Sequence, residues 1–264
     1  TPERRGAKLW PVQSSPMNRM EAALEDWRVG ASMVVDDLTE NDAKELRAFY
    51  WAAVCSLFEN PEDLLNLCAN RQVQIESFSS FSFHREAEFL QTILRVADVG
   101  TWMDQRLESL SQGLGTLPEG TKSVIFCSHE STADQIFSFL KSRNINVVRH
   151  GVVEEDDFSG KDWKSFLDVP EVISIVCGSR AEEGINLQGG KKAIVHFDLP
   201  LQPNRVEQRI GRVDRYGAGD AVPSFVLVDD EGPLQMAWFG ILDEGLGVFD
   251  RSISSLQYLV EGEI

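Results

Sequence analysis

From Lys122 onward the chain alternates short apolar runs with amphipathic stretches, and this alternation constrains the fold more than any other feature. Ser123-Val-Ile-Phe-Cys-Ser128 is a run of the kind that forms a strand buried on both faces. A helical stretch from Ser131 to Ser142 follows, then a strand pattern at Asn146 to Val148 and a helix at Asp162 to Leu167. Strands at Val172 to Cys177 and Ala193 to Phe197 come next. A helix at Pro203 to Arg215, a strand at Ser224 to Val228 and a helix near Leu234 to Leu242 close the series. Strands separated by helices predict an α/β fold, a parallel sheet with helices on both faces. The strands starting near Val124, Val172 and Ile194 are expected to be adjacent and parallel. Ligands of such sheets lie beyond the carboxyl ends of the strands, so the loops after Cys127, Cys177 and Phe197 are where chemistry is expected.

The part before Lys122 reads as helices. Thr39 with Asp42 fits a capping box, and Leu46, Phe49, Tyr50, Ala53, Val54 and Leu57 follow at helical spacing. Asn60-Pro61 restarts a helix, with Asn as cap, Pro at the first position and Glu62 and Asp63 in the first turn. Further helices are expected over Glu86 to Val96 and Trp102 to Leu110, the latter ended by Gly113 and Gly115, with a turn at Leu117 to Gly120. Ser77 to Phe83 alternates Ser with Phe and reads as a short strand or a loop. The expected organisation is a helical region over residues 1–100 and an α/β lobe over residues 101–264.

The chain has 264 residues, long enough for one or two domains with a buried core. Its net charge of −17 counts against coating a nucleic acid with a basic surface. Acidic residues outnumber basic ones in residues 1–120 (19 against 11) and 217–264 (nine against one), while residues 121–216 are near balance (14 against 13). Cys55, Cys68, Cys127 and Cys177 are too scattered for a disulfide framework and form no CxxC zinc pattern. No stretch approaches the ~18 apolar residues of a membrane span. Thr1 to Trp10 carries charges and no apolar h-region, so the expectation is a chain without a signal peptide, at home in a reducing cytoplasm. A start at Thr rather than Met is read as the mark of a piece of a longer protein.

The densest chemistry lies in Gln208-Arg209-Ile-Gly211-Arg212-Val-Asp214-Arg215. On a helix, Gln208, Arg212 and Arg215 share one face at i, i+4 and i+7. Two guanidinium forks on that face suit a polyanion, because each fork meets two phosphate oxygens at once. Gly211 reads as room for a neighbouring backbone. By spacing alone, the same residues read equally well as a solvated basic face.

Arg180-Ala-Glu-Glu183-Gly184-Ile-Asn186-Leu187 follows one predicted strand, and Phe197-Asp198-Leu-Pro200 the next. With Ser123 to Ser128 and Gln208 to Arg215, these segments resemble motifs IV, V and VI of superfamily 2 helicases, in order and at similar spacing. "GINLQ", "FDLP" and "EQRIGRVDRYG" are similar to the Swi/Snf-type ATPases, and above all to their bacterial RapA branch. The resemblance spans about residues 101–250. It implies a second RecA-like lobe that closes on ATP held by a first, N-terminal RecA-like lobe, which also holds most of the Mg2+. It implies that Arg212 and Arg215 reach the γ-phosphate, and that Gly184, Asn186 and Gln208 lie at the nucleotide and the lobe interface. It further implies nucleic-acid contacts at Ser128, Ser179 and Arg180, with duplex DNA favoured over RNA. Arg209 and Asp214 read as an Arg and a carboxylate that orient the helix. Many relatives carry Ser or Thr six residues before Gly184, where this chain has Gly178 with the hydroxyl next door at Ser179. Many also carry Arg after the position of His150-Gly151, where this chain has an acidic loop, Glu154 to Asp157. Lys122, Arg180, Lys191 and Lys192 are the basic residues expected to support binding.

The chain contains no GxxxxGK[ST] phosphate loop, since Gly120-Thr-Lys-Ser123 lacks its first half and precedes a strand. Asp229-Asp-Glu231 imitates an acidic magnesium motif but falls after the arginine helix, and no metal site is expected. His84, His129, His150 and His196 have no metal-ligand spacing and read as surface or core residues. There is no GxSxG nucleophile motif. The leading expectation is the C-terminal motor lobe of an ATP-dependent DNA translocase, inactive on its own. Two alternatives stand beside it: a non-catalytic interaction module docking a partner such as RNA polymerase or a defence-system subunit, and the lobe of an RNA helicase.

Overall fold

The computed structural model describes residues 6–13, 15–151, 162–182, 185–214 and 222–251. In chain order these form β1 (Ala7–Val12), α1 (Ser15–Ser32), α2 (Glu40–Glu59), α3 (Pro61–Glu76), α4 (Glu86–Val96), α5 (Val99–Gly115), β2 (Lys122–Phe126), α6 (Glu130–Ser142) and β3 (Val147–Arg149). They continue with α7 (Asp162–Asp168), β4 (Ser174–Cys177), β5 (Lys192–His196), α8 (Pro203–Val213), β6 (Ser224–Asp229) and α9 (Pro233–Gly240). The chain divides into two compact units. One comprises residues 1–12, 106–228 and 236–264, the other residues 13–105 and 229–235.

The first unit is an α/β fold around a sheet in the order β1-β6-β5-β2-β4-β3. β2 pairs in parallel with β4 on one side and β5 on the other, as their apolar runs predict. β3 pairs in parallel with β4, and β6 with β5. Every residue of β4 and β5 is buried, and all of β2 beyond Lys122. Consecutive buried residues require cover on both faces of the sheet. The core includes Val124, Phe126, Ile175, Ile194 and Val226 from the strands, with Val206, Ile210 and Val213 from α8. β1 departs from the helical reading of the N-terminal part. Ala7–Val12 lies at the sheet edge beside β6, and Trp10 stacks on Phe225 at 4.7 Å. α5 also runs past its expected end, so that Gly113 lies inside it against the Trp10 ring.

The second unit is helical. Thr39 caps α2 by accepting the Asp42 N–H, and Asn60 caps α3 by accepting the Glu62 N–H, with Pro61 behind it. Residues 77–83 form no strand. Trp27 packs against Phe49, Tyr50 and Phe83. The buried Arg71 guanidinium donates to Glu86, Glu45 and the Phe81 carbonyl. Among the described residues no helix is long and apolar enough to cross a membrane.

Candidate nucleotide and nucleic-acid face

Parallel pairing puts the carboxyl ends of the strands on one edge. Phe126 is level with Cys177 on one side and with His196 on the other, and Arg149 with Val176. Of the residues that follow, Ser128 and Asp198 therefore meet, although 70 positions separate them in sequence.

At this edge a buried polar network fixes α8. The Asp198 carboxylate accepts the Ser128 backbone N–H and hydroxyl, each at 2.7 Å, and both terminal nitrogens of Arg209 at 3.1 Å. Arg209 also donates to the Asp198 carbonyl and the Ser128 hydroxyl, each at 2.9 Å, and through Nε to Glu182 at 2.9 Å. Glu182 holds Arg205 as well, at 2.8 and 3.1 Å. The Arg209 and Asp198 side chains are 0% and 1% exposed, a setting in which ionic groups persist only when paired and hydrogen-bonded. Arg209 orients the helix, as expected from the sequence, but through Glu182 and Asp198. Asp214 is the C-terminal cap residue of α8, with extended backbone.

The network leaves one flank of α8 outward. Gln208 is exposed and Arg212 half-buried. Arg212 Nε donates to the Glu182 carbonyl at 2.8 Å, while among the described residues its two terminal nitrogens have no acceptor. The Leu187 N–H donates to the Arg212 carbonyl at 2.9 Å, which ties the loop bearing Asn186 to the end of this helix. Asn186 is exposed, and its side-chain oxygen accepts the Gln188 N–H at 3.1 Å. Gln208, Arg212 and Asn186 thus share one region, while Arg215, Gly184 and the acidic loop at residues 154–157 lie outside the described residues. A Cβ at Gly211 would meet nothing within 4 Å, so this glycine is not required by a close neighbour.

Of the expected nucleic-acid contacts, Ser179 and Arg180 are exposed just beyond β4. Ser128 is buried, its hydroxyl engaged by Asp198 and Arg209. Sequence reasoning passed over Glu130 and Arg149. Arg149 ends β3 and donates to Glu130 and, at 3.1 Å, to Asp134. Glu130 also accepts the Ser179 hydroxyl at 3.2 Å and the Arg180 N–H at 3.1 Å. A buried arginine closing a strand was the available signal, since such a group demands carboxylates nearby.

Lys122 and Lys192 are level at the amino ends of β2 and β5, the edge opposite Arg180. Lys122 donates to the Phe166 and Val169 carbonyls, Lys191 to that of Glu119 and Lys192 to that of Gly189. The four basic residues grouped by sequence therefore do not make one track. Among the described residues, no three His, Cys, Asp or Glu side chains are placed to hold a metal ion.

His196 ends β5 with no exposure, its ring edge-on to Phe249 at 5.6 Å. Burial, and secondarily the nearby Arg209 charge, push its pKa down to about 3. It is a neutral core histidine at physiological pH.

Comparison with known proteins agrees with this fold. Residues 105–217 match the helicase conserved C-terminal domain. The RNA polymerase-associated protein RapA of Klebsiella pneumoniae (strain 342) is 30% identical over 164 residues, 59% of this chain but 16% of that protein. The chain thus spans about a sixth of that relative. The C-terminal part of the Fun30 ATPase domain superposes with a TM-score of 0.55 at 12% identity, over 99% of this chain and 97% of that one. The Pyrococcus furiosus Hef helicase domain superposes with a TM-score of 0.52 at 17% identity, over 89% of this chain and 58% of that one. At such identities these two likenesses establish the fold.

Proposed function

We propose that this chain, whose residues 105–217 match the helicase conserved C-terminal domain, is the C-terminal lobe of a superfamily 2 helicase and the arginine-bearing half of the ATPase of a Swi/Snf-type, RapA-like DNA translocase. The observation that carries this reading is Arg212, anchored through Nε on the Glu182 carbonyl with the end of its fork unused among the described residues. A guanidinium held by one nitrogen keeps its two terminal nitrogens aimed for a pair of phosphate oxygens. Arg212, joined by Arg215, stabilises the charge that grows on the γ-phosphoryl oxygens as ATP is cleaved. Gln208, Asn186 and Gly184 sense the nucleotide. ATP and its Mg2+ are held mainly by an N-terminal RecA-like lobe, and opening and closing of the cleft moves the protein along DNA. Ser179 and Arg180 contact the phosphate backbone, with Ser128 supporting that edge through Asp198 and Arg209.

The test is DNA-stimulated ATP turnover by the two-lobed protein. Arg212→Ala lowers it at least ~100-fold while the melting temperature stays near wild type, and unchanged turnover rejects the reading. This chain by itself turns over no ATP. Stimulation by duplex DNA but not by RNA supports the translocase, and the reverse supports an RNA helicase. RapA is named as associated with RNA polymerase, and a polymerase is accordingly the first protein partner to assay.

A further inference from the structure

The proposed chemistry makes no use of Glu130, whose carboxylate is seated among converging donors. It accepts from the Arg149 guanidinium, from the Ser179 hydroxyl at 3.2 Å and from the Arg180 backbone N–H at 3.1 Å. Gly178 admits it: a Cβ there would stand 2.5 Å from Glu130 Oε1 and 2.8 Å from Oε2. The backbone at Gly178 is not left-handed, so a side chain there would be opposed only by the Glu130 carboxylate, which would have to turn aside.

The two sides of this contact differ in freedom. The Arg149 side chain is 3% exposed and is held also by Asp134 and the Glu130 carbonyl. The Glu130 side chain is 31% exposed at the start of α6, where rotation about its own bonds carries the carboxylate into solvent. Partial burial alone would raise its pKa, but the hydrogen bonds from Arg149, the Arg180 N–H and Ser179 outweigh that and hold it below the usual range. The donors are therefore occupied by a full negative charge at neutral pH.

A guanidinium, a hydroxyl and a backbone N–H directed at one point are the donors with which proteins grip a phosphodiester. We infer that this cluster is a phosphate subsite for the nucleic-acid backbone and that Glu130 is its resident plug, a carboxylate that a backbone phosphate must displace. The inference rests on the reading of Ser179 and Arg180 as nucleic-acid contacts. The plug sets the affinity at this edge, because each bound phosphate has first to expel a like charge.

The experiment uses the two-lobed protein and a fluorescent DNA duplex, with anisotropy read over a potassium chloride series. Wild type is compared with Glu130→Gln, Glu130→Ala and Arg180→Ala, and each melting temperature is measured. Glutamine keeps an oxygen for Arg149 and so preserves the local fold. Both Glu130 variants are expected to bind about tenfold more tightly across the salt series, because the phosphate no longer has to expel a like charge. Affinities equal to those of a DNA-binding wild type overturn the plug. A wild type with no salt-dependent binding, matched by Arg180→Ala, overturns instead the nucleic-acid reading beneath it.

Discussion

The Arg209 guanidinium closes on the Asp198 carboxylate at 3.1 Å, and both side chains are sealed from solvent. This pair joins the end of β5 to the middle of α8 and fixes the height at which Arg212 leaves the helix.

Removing one member leaves the other charged, buried and unpaired, a change that costs about 3–5 kcal/mol. Arg209→Ala and Asp198→Ala should each lower the unfolding free energy by that amount in chemical denaturation. Arg212→Ala, which surrenders one bond to a carbonyl, should shift it by no more than about 1 kcal/mol. Equal losses in all three variants would show that the three residues are not divided between support and function.

Guanidinium charge on a phosphoryl group counts most when the γ-oxygens gain charge. Arg212→Ala and Arg215→Ala in the two-lobed protein should therefore lower kcat by at least ~100-fold and change KM for ATP little. Lysine at either position should restore little, because an ammonium lacks the planar fork. Steady-state kinetics with saturating DNA tests this, and a loss confined to KM would contradict it.

His196 gives the fold an acid sensitivity of known sign. Its pKa is about 3 when folded, against an ordinary value of 6.5 that applies to the unfolded chain. Below pH 6.5 the unfolded state takes up a proton that the folded state refuses, so stability falls as pH drops from 6.5 toward 3, by at most about 1.4 kcal/mol per unit from this residue. Above pH 6.5 this slope fades and is lost within about one unit. Neither ring nitrogen has a hydrogen-bond partner among the described residues, so His196→Leu forfeits no bond. Denaturation midpoints of this variant should depend less on pH between 4 and 6 than those of wild type, and parallel curves would refute the assignment.

Gly113 reverses a rule of helix propensity. Glycine to alanine inside a helix ordinarily stabilises by about 1 kcal/mol. Here a Cβ would stand 2.3 Å from the Trp10 ring, a rigid group stacked on Phe225. Gly113→Ala should therefore destabilise by about 1–3 kcal/mol, the usual cost of overpacking. A raised melting temperature would mean that Trp10 does not occupy this place.

Sequence alone determined what depends on neighbours along the chain. The caps at Thr39 and Asn60 were legible because each lies two or three residues from the N–H that it accepts. The buried strands were legible from unbroken apolar runs, and the arginine helix from the spacing of Gln208, Arg212 and Arg215, the last of which lies outside the described residues. Their order gave the parallel sheet, since parallel strands need crossovers. Tertiary structure decided what depends on residues far apart. Ala7–Val12 is a strand because β6 offers it an edge, not because of its own pattern. Gly113 serves Trp10 rather than a helix end, and Gly178 serves Glu130, 48 positions earlier. Arg180 is parted from Lys122 and Lys192 because parallel strands send their two ends to opposite edges. Local spacing is written in the order of residues, but the partner of a buried charge or the owner of a glycine's empty space is fixed only when the sheet brings distant loops to a common edge.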